Sequence, residues 1–299
     1  MIQNEVLTDA LQRSASIHQP HALKAYLAMK YLSVRFENFG VQEWKQCQNL
    51  IAISEVKVPM IMSENIESKV LSDDRIQYVM QNGVLPIGYI AMKQWHQRAG
   101  IDHIFNHYLN LAAERNEYLS HNVSILLALR EVYSELEDDQ IPFFLDRFAE
   151  YLSSTFRKIT KGETTSIINS TVEVDKVLDS CIEQPGFFGH NLITLCWLLR
   201  SRTKIGKDIF YRILVHVYEQ SKWDFDDPED KIDHLFLQGC NSVSTENEFE
   251  NIISSLINDQ NKNIHQITLA DSLVYLWSLY PDKRENISML AVYYSTKRN

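Results

Sequence analysis

Two histidines each stand at the start of a predicted, largely apolar helix. His121 precedes the run 123–129, and His190 precedes the run 192–199. The free N–H groups and the dipole at a helix N-terminus favour an anion or a neutral imidazole. If these two helices pack together, both imidazoles reach one pocket, where a histidine pair binds substrate or transfers a proton. We therefore predict His121 and His190 as catalytic residues. The alternative is that each one caps its helix or hydrogen-bonds locally.

Side chains beside the two histidines are candidates for binding a substrate. Asn122 and Asn191 follow the histidines directly, and Phe187, Phe188 and Trp197 are close to them in sequence. Aromatic rings beside a few polar groups are typical of a pocket for a flat apolar ligand. We predict these five residues as substrate-binding, with ordinary packing between helices as the alternative for the aromatic ones.

A second pair of histidines has a spacing that suits a metal ion. His103 and His107 are four residues apart, so both lie on one face of a predicted helix. Such a pair binds a metal when a third ligand is near, and His121 or Glu117 is close enough in sequence. The Glu-x-x-His pattern of helical di-iron sites is absent, because no histidine has an acidic residue three positions before it. A metal at His103 and His107 is thus one predicted cofactor, and a polar helix face is the alternative.

Composition favours helices and argues against anionic partners. The 299 residues are 45% hydrophobic, which suits a sizeable buried core, and include only 9 glycines and 7 prolines. A large sheet protein would need more turn residues. The net charge of −10 repels phosphate backbones and anionic lipid surfaces, so we predict neither nucleic-acid nor membrane binding.

The cysteines and the N-terminal residues predict a soluble cytoplasmic protein. Cys47, Cys181, Cys196 and Cys240 are far apart and form no CxxC pair, which favours free thiols in a reducing compartment. The sequence after Met1 lacks a basic region followed by an apolar run, so no signal peptide is visible. No apolar stretch approaches the roughly 20 residues of a membrane-spanning helix.

Apolar spacing and capping residues predict an all-α protein, a multi-helix bundle or stacked helical array. We expect a single helical domain over 1–299, with an N-terminal helical subregion over 1–90, and an extended segment near 56–62. The predicted helices cover 5–16, 22–36, 41–55, 73–81, 90–98, 102–116, 120–136 (capped by Ser120 or Asn122), 141–159, 171–182, 190–202, 206–221, 229–239, 245–258, 266–280 and 283–295.

Around its two helix starts the chain resembles the questin oxidase-like family. The similar segments are 120–126 and 189–195, and the match runs from about residue 115 to about 200. In the second segment Asn191 stands where the family has proline, and Thr194 stands where it has a second histidine. The order His121-Asn122 is also the reverse of the family's. The resemblance implies NADPH-dependent oxygenation of a polycyclic aromatic ketone, in a helical protein.

Two functions follow from these observations. The first is an oxygenase-like oxidoreductase that acts on a small apolar or aromatic metabolite in a helical pocket with paired histidines, using NADPH or a bound metal. The second is a non-catalytic helical adaptor or regulator that binds a basic protein partner through its acidic surface. The enzyme hypothesis requires the imidazoles of His121 and His190 to lie close together, whereas the adaptor hypothesis does not.

Overall fold

The fold is all-α, as the sequence predicts. A computed structural model describes residues 2–15, 19–67, 69–157, 172–225, 231–258 and 263–296. Fifteen α-helices occur in these residues, joined by short turns. They are α1 (Ile2–Leu11), α2 (Ala22–Arg35), α3 (Val41–Ser54), α4 (Asp73–Gln81), α5 (Ile87–Ala99), α6 (Ile101–Glu114), α7 (His121–Tyr133), α8 (Ile141–Thr155), α9 (Val174–Glu183), α10 (His190–Arg200), α11 (Lys207–Gln220), α12 (His234–Gln238), α13 (Glu246–Ile257), α14 (His265–Leu279) and α15 (Arg284–Thr296).

The predicted helix over 5–16 is wrong in its last turn. The helix ends at Leu11, and β1 (Arg13–Ala15) pairs antiparallel with β2 (Glu55–Lys57), which overlaps the start of the predicted extended segment 56–62. Pairing between distant segments overrides the helical pattern there, because it satisfies the backbone groups of both. Some positions of the predicted helices lie outside the described residues, namely 16, 158–159, 171 and 229–230.

Four helices form a ring at the centre of the fold. The helix α2 packs against α7 and α14, and α10 packs against the same two helices. Buried apolar residues from Val6 to Tyr293 belong to one continuous core around this ring. The predicted N-terminal subregion 1–90 therefore supplies one of the central helices.

The four helices run parallel and in register. Tyr31, Arg200 and Tyr275 each lie ten residues after the histidine at the start of their own helix. The guanidinium of Arg200 lies 4.2 Å from the ring centre of Tyr31 and 4.5 Å from that of Tyr275. Ten helical residues span about 15 Å, so this contact forms a second layer at that distance from the helix starts. In α7, Glu131 lies ten residues after His121 and close enough to Tyr31 for its charge to raise the pKa of that phenol. Helices that meet in both layers must begin at the same end of the ring.

The largely buried arginine of the second layer is neutralised by an aspartate. Arg200 Nη2 donates to Asp271 Oδ1 at 2.6 Å, and Nη1 donates to Oδ2. The Asp271 side chain is 2% exposed and that of Arg200 is 15% exposed. This bidentate pair fixes α10 against α14.

Within the described ranges, every helix is too short or too polar to cross a lipid bilayer.

Candidate functional site

The imidazoles of His121 and His190 meet, as the sequence predicts. Their Nε2 atoms are 3.0 Å apart, although the residues are 69 positions apart in the chain. Both side chains are buried. Each histidine is the first residue of its helix, α7 or α10, so the contact follows from the parallel packing of the two helices.

Two further histidines complete a cluster of four. His21 is the N-cap of α2 and His265 is the first residue of α14. The Nε2 atoms of His21 and His121 are 3.4 Å apart, and the ring centres of His190 and His265 are 4.6 Å apart. The starts of all four central helices therefore meet at one point, and each contributes an imidazole. We call these residues, His21, His121, His190 and His265, the four-histidine cluster.

Three of the four rings are held by an oxygen atom on their outer side. His190 Nδ1 bonds to the main-chain carbonyl of Phe187, and His21 bonds to that of Gln19. His265 Nδ1 lies 2.7 Å from Asn263 Oδ1. An oxygen that can only accept requires the facing ring nitrogen to carry the proton. The lone pair of a neutral imidazole then lies on Nε2, the atom that points into the cluster.

This arrangement fits a metal ion. The Nε2 lone pairs of His21, His190 and His265 meet around His121. The neutral ring of His121 carries a single N–H, so it can donate a hydrogen bond to at most one of these three lone pairs. His265 Nε2 is buried and has no hydrogen-bond partner. Ligand nitrogens of His21, His121 and His265 lie within 4.8 Å of one another, and histidines that bind metals usually donate their outer N–H in this way. A bound cation would satisfy lone pairs that otherwise repel one another.

Burial keeps the cluster uncharged. It lowers the pKa of His21 and of His190 to about 3, and it lowers the pKa of His121 and of His265 well below the usual range. The nearby charge of Lys24 acts in the same direction in all four cases. Neutral imidazoles are the form that binds a metal.

Lys24 is itself a buried group of the site. It lies one turn into α2, its side chain is inaccessible to solvent, and Nζ donates to Ser124 Oγ at 3.3 Å. Burial lowers the pKa of Lys24 to about 7. At neutral pH its amine can therefore either hold or release a proton.

Matching turns place His121 and His190. Each is preceded by two residues in the left-handed backbone region, Leu119 and Ser120 in one case and Phe188 and Gly189 in the other. The two left-handed residues reverse the direction of the chain, and the histidine that comes next is the first residue of the helix. Gly189 has φ +74°, and a Cβ added there would lie 2.5 Å from Leu269 Cδ1 in α14.

Substitution of Gly189 is expected to separate α10 from α14. We expect Gly189→Ala to lower the free energy of unfolding by at least about 2 kcal/mol, from left-handed strain plus the clash with Leu269. The matched control is Gly189→Ala in a Leu269→Ala background, where the left-handed strain remains but the side-chain atom that the added Cβ would meet is gone. Urea unfolding measures the free energy that each protein loses on this substitution. Equal losses would show that the clash with Leu269 contributes nothing.

The asparagines after the two histidines hold these turns. Asn122 Nδ2 donates to the carbonyl of Arg115 at 3.2 Å, and Asn191 Nδ2 donates to that of Gln184 at 2.8 Å. In both cases the acceptor lies seven residues earlier, at the end of the preceding helix. The amide nitrogens thus close the turns, while substrate binding by Asn122 and Asn191 stays a prediction.

The predicted aromatic residues divide into two groups. Phe187 and Phe188 are half-buried, and their ring centres lie 6.4 Å and 6.1 Å from that of His265, which is also half-buried. Trp197 is fully buried beside Tyr31 in the second layer. Phe187 and Phe188 therefore border the cluster on its accessible side, whereas Trp197 packs in the core about two turns away from His190.

The structure does not bring His103 and His107 to the cluster. His103 is exposed, and both rings lie against Trp95, with ring centres 6.3 Å and 5.5 Å from it. In the part of the chain that the structure describes, neither belongs to a group of three close metal-ligating side chains. Metal binding by His103 and His107 stays a prediction, and the described residues place no third ligand beside this pair.

Sequence reasoning missed His21, His265 and Lys24. Its own criterion, a histidine directly before a helix, would have selected both histidines: His21 precedes α2 and His265 begins α14. Another residue it missed is Glu55, whose Oε1 accepts from the main-chain N–H groups of His21 and Ala22 at 2.6 Å and 2.9 Å. Burial raises the pKa of Glu55 to about 7. This carboxyl group, from β2, caps the helix that carries His21.

The buried imidazole of His190 should make stability depend on pH. Its pKa is about 3 in the folded protein, against 6.5 for an exposed histidine. Below pH 6.5 the unfolded chain takes up a proton that the folded protein does not, so stability is lost as pH falls from 6.5 towards 3. Between pH 7 and pH 5, metal-free His190→Gln is expected to lose up to about 2 kcal/mol less than the wild type in urea unfolding. Identical losses would show that His190 is protonated in the fold.

No family model, curated protein or solved structure matches the chain. The resemblance to the questin oxidase-like family stays a prediction, carried by the segments around His121 and His190.

Proposed function

We propose that the four-histidine cluster binds a transition-metal ion and that the protein is an oxidoreductase acting on a small apolar or aromatic metabolite. The observation that carries this proposal is that ligand nitrogens of His21, His121 and His265 lie within 4.8 Å of one another, with His190 Nε2 3.0 Å from that of His121 and three outer ring nitrogens held by oxygen acceptors. Imidazole nitrogen suits iron, copper, nickel and zinc, so the donor set selects this group of metals over magnesium or calcium.

The residues around the cluster suit a flat, apolar substrate. The rings of Phe187 and Phe188 border the half-buried His265. They can stack on a planar molecule and exclude water from its reacting face. Lys24 Nζ, with a pKa of about 7, can hold or deliver a proton beside the four imidazoles.

The redox part of the proposal rests on the resemblance around His121 and His190. A bound iron or copper ion would supply one-electron chemistry with dioxygen, and NADPH is the reductant that the resemblance implies. No GxGxxG fingerprint for a dinucleotide occurs in the sequence, so NADPH would act through another kind of site or through a partner.

Elemental analysis of the purified protein tests the metal site first. We expect about one equivalent of a transition metal per chain, lost when His121 and His190 are both replaced by glutamine. Oxygen consumption by the metal-loaded protein, with NADPH and a panel of polycyclic aromatic ketones, then tests the activity. A protein that takes up none of the four metals would refute the site and favour the adaptor hypothesis.

A further inference from the structure

The outer ring nitrogens of the four-histidine cluster have two kinds of partner. His21 and His190 bond to main-chain carbonyls, those of Gln19 and Phe187. His265 instead bonds to a side chain, Asn263 Oδ1. Among the described contacts of these outer ring nitrogens, the one between His265 and Asn263 is therefore the contact that a side-chain substitution can remove without moving the backbone.

The contacts of Asn263 determine which nitrogen of His265 carries the proton. Oδ1 also accepts from the main-chain N–H of His265 at 3.0 Å. A main-chain N–H is always a donor, so the atom of Asn263 that faces it must be the amide oxygen. That oxygen can only accept from His265 Nδ1, at 2.7 Å, which leaves the lone pair on Nε2. Asn263 thereby aims a free Nε2 lone pair at the other three histidines.

Asn263 is itself held in place. Its main-chain N–H donates to Gln266 Oε1 at 2.8 Å, and Gln266 Nε2 donates to the carbonyl of Leu256 at 2.9 Å. Gln266 is 1% exposed. The Gln266 side chain thus ties the start of α14 to the end of α13 and to Asn263, whose own side chain fixes the ring of His265.

We propose that Asn263 is a positioning residue of the metal site, which sets the tautomer and the direction of His265. This inference rests on the proposed function, because it requires the cluster to bind a metal. Partners of the outer nitrogen of a metal-binding histidine typically contribute about 10–100-fold to metal affinity. Asn263 should therefore contribute on this scale although it does not touch the metal.

Binding of Co²⁺ to the full chain tests the inference, because visible absorption of Co²⁺ reports its ligand geometry. We expect Asn263→Ala to weaken Co²⁺ binding about 10–100-fold and to change the absorption spectrum. Asn263→Asp keeps both acceptor contacts and should restore affinity to at least the wild-type value. This rescue separates an effect on the ring of His265 from a general loss of stability.

Asn258→Ala is the matched control, because Asn258 lies in the same connection but bonds to the carbonyl of Ser254. It should leave Co²⁺ affinity and spectrum unchanged. If the wild type binds Co²⁺ and Asn263→Ala binds it with equal affinity and an identical spectrum, the inference is overturned and the metal site stands. If the wild type binds neither Co²⁺ nor any of iron, copper, nickel and zinc, both proposals are overturned.

Discussion

Replacing Asp271 with alanine is expected to lower the free energy of unfolding by about 3–5 kcal/mol, because the buried guanidinium of Arg200 would lose its counter-ion. Arg200 contacts the rings of Tyr31 and Tyr275 as well as Asp271, so it links α2, α10 and α14. The side chain of Arg200 is only 15% exposed, so water can solvate an uncompensated charge at this point only in part. Chemical unfolding in urea, extrapolated to zero denaturant, measures the effect.

Asp208 offers a matched control for that substitution. Its ion pair with Arg212 has a nitrogen–oxygen distance of 3.0 Å, but the aspartate side chain is 82% exposed. Exposed pairs of this kind contribute less than about 1 kcal/mol, so Asp208→Ala should be nearly neutral. Equal losses in the two variants would show that Arg200 has found another partner and that the second layer does not depend on Asp271.

Removing one imidazole from the four-histidine cluster is expected to weaken metal binding at least about 100-fold, more than the loss of a contact outside the coordination sphere. His121→Gln is the variant to use, because His121 belongs to the group of three close ligand nitrogens and its Nε2 also lies 3.0 Å from that of His190. Competition with a chromogenic zinc chelator measures the affinity. Thermal unfolding with and without Zn²⁺ gives a second readout, since a metal that binds only the folded protein raises its melting temperature.

His103→Gln is the control that separates the two predicted metal sites. His103 is exposed and lies against Trp95, away from the cluster. We expect wild-type affinity in this variant and a strong loss in His121→Gln. The reverse result would move the metal to His103 and His107 and would remove the main support for the proposed function.

Much of the helical structure could be predicted from local sequence. Apolar residues at helical spacing set the helix interiors, and residues such as Ser72 and Thr245 cap α4 and α13 in the structure. The failure at Arg13–Ala15 has a clear cause, because this segment pairs with Glu55–Lys57, about 40 residues away. Local periodicity carries no information about such a partner.

The candidate site was half predictable. His121 and His190 share a visible pattern, a histidine followed by asparagine and an apolar helix, and their contact was predicted from it. His21 and His265 also stand directly before predicted helices, but neither is followed by asparagine, so the shared pattern does not single them out. Lys24 and Glu55 could not be recognised, because only burial makes a lysine or a glutamate unusual, and burial depends on distant residues.

The sequence by itself determined that this chain is helical and that histidines stand where helices begin, because helix formation and capping are governed by residues within a few positions of one another. Only the tertiary structure decided that four of the ten histidines meet. That choice depends on which apolar faces pack and in which direction the helices run. The parallel ring of α2, α7, α10 and α14 brings their N-termini together, and the same packing shields the four imidazoles from water and keeps them neutral.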